Sequence, residues 1–324
     1  MTTAHRVRGR MLGCLFAAAL ALAALAFAPA APAASPPKNH PVKTNYLALG
    51  DSLAFGYQAA KVNACASTGC STPNTLFTTG YVDDFGAFLK TVLARNTTTN
   101  LGCPGETTDT LISATNATTG CTTYPFAIHV NHPGTTQLQA ALNFLAANPN
   151  KVSPITLDIG ANDVLAAVHG CTNTTTGVID LSCVLAAAPG VFAHVAQNVG
   201  YVLNRLHTQE PNAEIIVVGL YNPLYPAVYQ QTYAQTGDPA AAAAAAAATD
   251  ALTAQLNSAL SATADAGQAY FANPLPTFNP PGNPTVELGT ICTLTNVCGP
   301  LHDIHPTDQG YQALAGVVQA ASSY

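Results

Sequence analysis

Four short stretches of the sequence combine residue types suited to transferring an acyl group. Ser52 lies in Leu49-Gly50-Asp51-Ser52-Leu53, just past an apolar run. A serine there can present its hydroxyl at a strand end while its own N–H points into the cleft. Gly105, within Asn100-Leu101-Gly102-Cys103-Pro104-Gly105-Glu106-Thr107, can offer a backbone N–H that nothing bulky obstructs, as an oxyanion hole requires. A plain turn is the simpler reading of this stretch, and for Gly102 it is preferred. Asn162, in Gly160-Ala161-Asn162-Asp163, carries an amide able to donate to the same oxyanion; an ordinary Asx turn capping the next helix is the other reading. His305, in Asp303-Ile304-His305-Pro306-Thr307, is placed to take a serine proton as general base and return it to a leaving group.

The elements around these stretches decide whether they can meet. Apolar runs at 45–50, 154–160 and 213–220 read as buried strands, with weaker candidates at 97–101 and 268–272. Helical spacing of apolar residues runs over 80–96, 137–147, 191–206 and 306–321, the last with Pro306 at its start. Strands alternating with helices predict a parallel sheet covered on both faces. Ligands bind such sheets beyond the C-terminal strand ends, and the Ser52, Gly105 and Asn162 stretches all follow an actual or possible strand. Residues 62–79 and 108–134, rich in Thr, Asn, Gly and Cys, read as stapled loops. Residues 221–267 hold Tyr221, Tyr225, Tyr229 and Tyr233 and then the alanine run Ala240–Ala248. That region reads either as a helical insertion beside the cleft or as solvent-facing filler.

In this order, the four stretches resemble the four conserved blocks of the GDSL, or SGNH, hydrolases, with Ser52, Gly105, Asn162 and His305 at the four family positions. The resemblance covers roughly residues 44–320. It implies a three-layer α/β/α sandwich with a mainly parallel, flavodoxin-like sheet, and ester hydrolysis through an acyl-serine with no metal or cofactor. It also implies three oxyanion donors: the Ser52 N–H, the Gly105 N–H and the Asn162 amide. The sequence departs from the family at one point. The acid usually stands three residues before the histidine, and here that position is His302. Asp303, two before His305, faces the same side in an extended segment and is the candidate third member; a backbone carbonyl is the alternative. An ordinary α/β-hydrolase would carry a mid-sequence G-x-S-x-G serine, and no such motif occurs.

Composition narrows the setting. Charged residues make up 8% and apolar residues 48%, against about 25% charged in ordinary soluble proteins. With ten Lys plus Arg and a net charge of −6, the protein lacks the basic footprint of a nucleic-acid binder. A neutral lipidic or carbohydrate ester suits it better. Arg6, Arg8 and Arg10, the apolar stretch Met11–Phe27 and the small residues Ala28–Ala33 read as a secretory signal peptide over 1–34. A Pro-rich linker over 35–43 and a hydrolase domain over 44–324 would follow. No later segment is expected to cross a bilayer, and a monomer is the default expectation. In an exported protein the eight cysteines Cys65, Cys70, Cys103, Cys121, Cys171, Cys183, Cys292 and Cys298 read as disulfides, with pairing between sequence neighbours expected. His302 with His305, and His129 with His132, have metal-pair spacing but no third ligand. Two rivals stay open on sequence alone: acyl transfer to an alcohol or sugar at the same site, and a non-catalytic binding protein on the same fold.

Overall fold

Three of the five strands, β1 (Asn45–Gly50), β3 (Val152–Asp158) and β4 (Ile215–Val218), are the apolar runs of the sequence, almost wholly buried. The computed structural model describes residues 40–68, 76–113, 128–130, 132 and 134–324. The signal-like segment, Cys70, Cys121 and the sulfur of Cys65 lie outside the described residues. After β1 come the short α1 (Ser52–Phe55), α2 (Ala59–Thr68), α3 (Tyr81–Val92) and β2 (Thr97–Asn100). Helices α4 (Thr108–Ile112) and α5 (Gln137–Ala147) lead into β3, and α6 (Ala161–Gly170) and α7 (Leu181–Gln209) into β4. Then follow α8 (Tyr225–Thr236), α9 (Pro239–Ala266), β5 (Tyr270–Ala272), α10 (Leu275–Phe278), α11 (Pro284–Leu294) and α12 (Asp308–Ala321).

The sheet runs β2-β1-β3-β4-β5 and every pairing is parallel. Alternating residues feed two cores. Leu47, Leu49, Ile155, Leu157, Ile215 and Val217 face α5, α7 and α9. Tyr46, Ala48, Ile216 and Val218 face α3 and α12. The backbone leaves β1 towards β2 on one side and returns to β3 on the other. The crevice at the β1 and β3 ends is therefore the topological switch point, where open α/β sheets bind ligands.

Several elements depart from what the sequence predicts. Helix α7 begins at Leu181, ten residues before the predicted start, and runs through Pro189. Asp180 caps it by accepting from the Ser182 and Cys183 N–H groups, and buried Val184 and Ala188 anchor its first turns. By length and composition α7 is long and apolar enough to cross a membrane, contrary to the expectation that no later segment is. Its Val195, Val199, Val202, Leu203 and Leu206 are packed in the core. Pro306 precedes α12 rather than opening it, because Thr307 is the N-cap, accepting from the Gly310 N–H. The regions expected as loops at 62–79 and 108–134 include most of helix α2 and the whole of α4. The alanine run lies in α9, where Ala242 and Ala246 are wholly buried and let that helix approach α8 closely.

Candidate active site

Ser52 is the first residue of α1, immediately beyond β1. Asp51 starts that helix by accepting the Leu53 N–H on Oδ1 at 2.9 Å. The turn from strand to helix demands glycine at position 50. Its φ is +150°, and a Cβ there would lie 1.4 Å from Asp158 Oδ1. The buried Gln137 grips the same residue from both sides, accepting the Gly50 N–H at 2.6 Å and donating to its carbonyl at 2.9 Å. Asn100, at the end of β2, donates to the Ala54 carbonyl at 2.7 Å and accepts the Gly102 N–H at 2.9 Å. One buried amide thus joins the serine's helix to the loop carrying Gly105. Any larger residue at position 102 would collide with α1, its Cβ 2.6 Å from the Phe55 nitrogen. Close approach of loop and helix is what requires Gly102.

His305 reaches the serine from the far end of the sequence. Its Nε2 lies 2.8 Å from Ser52 Oγ, and its Nδ1 2.5 Å from Asp303 Oδ1. The Ala59 N–H holds the other carboxylate oxygen, Oδ2, at 2.8 Å. Burial alone would raise the Asp303 carboxyl; the hydrogen bonds and charge of His305, with the Ala59 N–H, outweigh it and hold the group below its ordinary value. His302 takes no part in this series. It adopts a left-handed backbone (φ 46°), and its Nδ1 is 3.3 Å from the Val297 carbonyl. The segment is pinned by its carbonyls. Asn296 donates its N–H to His305 O at 2.9 Å and its amide to Pro306 O at 3.2 Å, and the Tyr221 hydroxyl donates to Ile304 O at 2.7 Å. The disulfide Cys292–Cys298 closes the turn that carries Asn296. The Tyr57 ring stands 4.4 Å from the imidazole, tilted by 48°.

Gly105 and Asn162 sit across the same cleft. Gly105 has φ +78°, open to glycine without strain. Among the described residues neither its N–H nor that of Ser52 meets an acceptor. Asn162 Nδ2 donates to the Glu106 carbonyl at 2.8 Å and faces Asp51 Oδ2 at 3.4 Å. The second contact is long for a hydrogen bond and yields readily to a stronger acceptor. Asp163 is not merely a turn residue: its carboxylate accepts the Thr108 N–H at 3.0 Å and the Thr108 hydroxyl at 2.7 Å. This clamp ties the Gly105 loop to the helix that carries Asn162.

Beneath the serine lie carboxyls that nothing in the sequence singles out. Burial raises Asp51 and Glu106 to about 7, the charges of Asp163 and Glu106 adding to the effect at Asp51. Asp158 is pushed well above the usual range by burial and by the charge of Asp51. Gln137, Glu106 and Asp158 are ordinary polar residues in sequence. Their one signal is position: Gln137 opens α5, Asp158 ends β3, and Glu106 follows Gly105 in the loop before α4.

Among the described residues five cysteines are in disulfides. Cys171 is bonded to Cys183 and Cys292 to Cys298, and Cys103 is disulfide-bonded as well. His129 Nε2 contacts the Phe55 carbonyl at 3.0 Å, and His132 faces Cys103 Sγ at 3.6 Å. Among the described residues no group of three His, Cys, Asp or Glu is placed to hold a metal ion. Ser52, Gly105, Asn162 and His305 all open onto one cleft of about 380 Å³, within the usual size range for small-molecule sites.

A parallel three-layer sandwich with a serine, a histidine and a carboxylate in hydrogen-bonded series at its switch point is the architecture of a hydrolase site. The GDSL-like lipase/acylhydrolase family model matches residues 48–313, and the protein belongs to that family of esterase/lipase-type hydrolases. Several solved structures share the fold, among them three lipases or phospholipases. An extracellular lipase from Streptomyces rimosus is 19% identical over 86% of this protein and 100% of its own length, with a TM-score of 0.52. Phospholipase A1 from Streptomyces albidoflavus NA297 is 16% identical over 86% and 100%, at 0.51. The lipase Lip_vut3 from a goat rumen metagenome is 17% identical over 86% and 96%, also at 0.51. A sequence search of curated proteins found no match.

Proposed function

We propose that this protein is a secreted serine esterase that hydrolyses carboxylic esters through an acyl-serine intermediate. The observation that carries the reading is the Asp303–His305–Ser52 series, with links of 2.5 and 2.8 Å, opening onto the cleft that Gly105 and Asn162 border. Ser52 Oγ attacks the ester carbonyl as His305 Nε2 takes its proton. The carbonyl oxygen becomes an oxyanion held by the Ser52 and Gly105 N–H groups and the Asn162 amide. His305 gives the proton to the leaving alkoxide, and the C–O bond breaks to leave an acyl-serine and an alcohol. Water, deprotonated by the same imidazole, then attacks the acyl carbon; the bond to Ser52 Oγ breaks, His305 returns the proton to that oxygen, and the carboxylic acid leaves. Asp303 fixes the imidazole tautomer and balances the imidazolium charge. The signal-like N-terminus and the disulfides support export. The substrate is a small-molecule, lipid or carbohydrate ester and the enzyme acts as a monomer. A binding protein without activity would have no use for so complete a proton-transfer series.

The test is hydrolysis of p-nitrophenyl acetate by the mature protein and by Ser52→Ala, with mass spectrometry to locate the adduct of a phosphonate inhibitor. Serine-dependent turnover and an adduct on Ser52 support the reading. Equal turnover by both proteins removes it, and ester formed from an added alcohol in preference to free acid makes the protein a transferase. Asn162→Ala is expected to lower kcat by about 10²–10³-fold with a far smaller change in KM. Unchanged turnover in that variant would take Asn162 out of the oxyanion site.

A further inference from the structure

Away from the reacting groups, the cleft that holds Ser52 has a largely apolar wall. Beyond Asn162, on and near α6, its wall is Val164, Leu220, Leu224 and Thr253. The same four residues line a second cavity of about 50 Å³. That cavity lies between α6, α7 and α9, where Val168, Val184, Ala188, Phe192 and Leu256 complete an almost wholly apolar lining. Val168 and Val184 pack in one cluster with Cys171, whose disulfide to Cys183 joins the end of α6 to the start of α7. The wall of the cavity is therefore covalently braced. An apolar cavity of this kind holds no ordered water and receives apolar groups.

Stereochemistry says which part of an ester would enter it. The proton on His305 Nε2 must reach the leaving oxygen, so the alcohol departs on the histidine side of the cleft, past Leu301, His302 and Ile304. The acyl group must then extend the opposite way, past Asn162 towards Val164 and Leu224. We infer that the cavity between α6, α7 and α9 is an acyl subsite, and that the substrate carries a medium-length aliphatic acyl group rather than an acetyl group. This rests on the esterase reading for its orientation, while the subsite itself can be tested without turnover.

Each methylene buried there contributes about fourfold to kcat/KM. The p-nitrophenyl series from acetate to palmitate should therefore peak beyond butyrate, with octanoate favoured over acetate by at least roughly tenfold. Ala188→Phe fills the cavity and Phe192→Ala enlarges it. The first should lower the octanoate-to-acetate ratio about tenfold, and the second should move the optimum to longer acyl groups. A ratio unmoved in both variants, each folded by circular dichroism, overturns the inference. So does a length preference that follows the alcohol of alkyl acetates instead of the acyl group. Calorimetry of methyl octanoate with Ser52→Ala separates the two readings. Binding that Ala188→Phe weakens in that background, in a protein with no turnover of any ester, keeps the subsite and removes the esterase. Acetate turnover with no response to acyl length and no such binding keeps the esterase and removes the subsite.

Discussion

His305→Ala lowers kcat for p-nitrophenyl ester hydrolysis by about 10⁶-fold, and Asp303→Asn by about 10⁴-fold, with KM changing little in either. The asymmetry follows from what each group does. Without the imidazole, Ser52 Oγ has no acceptor for its proton and the leaving alkoxide no donor, so both halves of the reaction stall. Without the Asp303 charge the imidazole remains 2.8 Å from the serine, but an amide at 303 no longer demands a proton on the nitrogen facing it. The ring is then free to carry that proton on Nε2, where it cannot act as a base. The Ala59 N–H still holds the residue at 303 in place, so Asp303→Asn should keep its fold and isolate the electronic effect. Steady-state kinetics with circular dichroism as a folding control checks both. A loss below tenfold in His305→Ala would show that another group accepts the proton. A loss in Asp303→Asn as small as that of a surface substitution would leave orientation of the ring to the backbone.

Stability should fall as pH rises from 5 to 8. Asp51 and Glu106 are raised to about 7 and Glu287 to about 8, in each case chiefly by burial, with Asp250 adding to the effect at Glu287. Asp158 is also raised well above its ordinary value by burial and by the Asp51 charge. A carboxyl raised on folding holds its proton in the folded state after the unfolded state has released it. Folding is therefore favoured most below the unfolded value near 4 and loses free energy as pH rises through the folded values. Asp303 acts in the opposite sense: its value is lowered, so its contribution is present above the unfolded value and lost only in stronger acid. Between pH 5 and pH 8 the raised groups decide. The buried Asp51, Asp158 and Glu106 carry most of the change, with Asp51 and Glu106 each contributing on the order of 2–3 kcal/mol, and solvent screening leaves Glu287 a small share. Thermal midpoints at constant ionic strength should decline across that range. Glu106→Gln, which keeps the shape and removes the charge, should flatten the slope. A midpoint that rises towards pH 8 would show that these carboxyls are ionised at little cost in the folded protein.

The strands legible in sequence are those with continuous apolar runs, because burial on both faces of a parallel sheet requires them. The polar strand Thr97–Asn100 is fainter, since an edge strand needs only one apolar neighbour. Helix α7 reads short because Pro189-Gly190 is a local breaking signal, and burial of Val184 and Ala188 overrides it. At the site, Ser52, Gly105, Asn162 and His305 are the positions that the family resemblance singles out, and the fold brings all four to one cleft. Gln137, Asp163 and Tyr221 are not legible in sequence. They act on residues 87, 55 and 83 positions away, and no local pattern records such a partner.

Local periodicity suffices to specify the layered fold, and the family resemblance singles out the residues proposed to attack, donate and accept a proton. They do not specify which acid serves His305. The left-handed turn at 302 directs the His302 ring towards Val297, and Asp303 is thereby the residue that meets the imidazole. Nor do they specify that three cleft walls from separate strands meet at one switch point, or that buried carboxyls gather beneath them. Distances between residues remote in sequence are set by how the layers pack, and packing is a property of the whole sequence rather than of any segment.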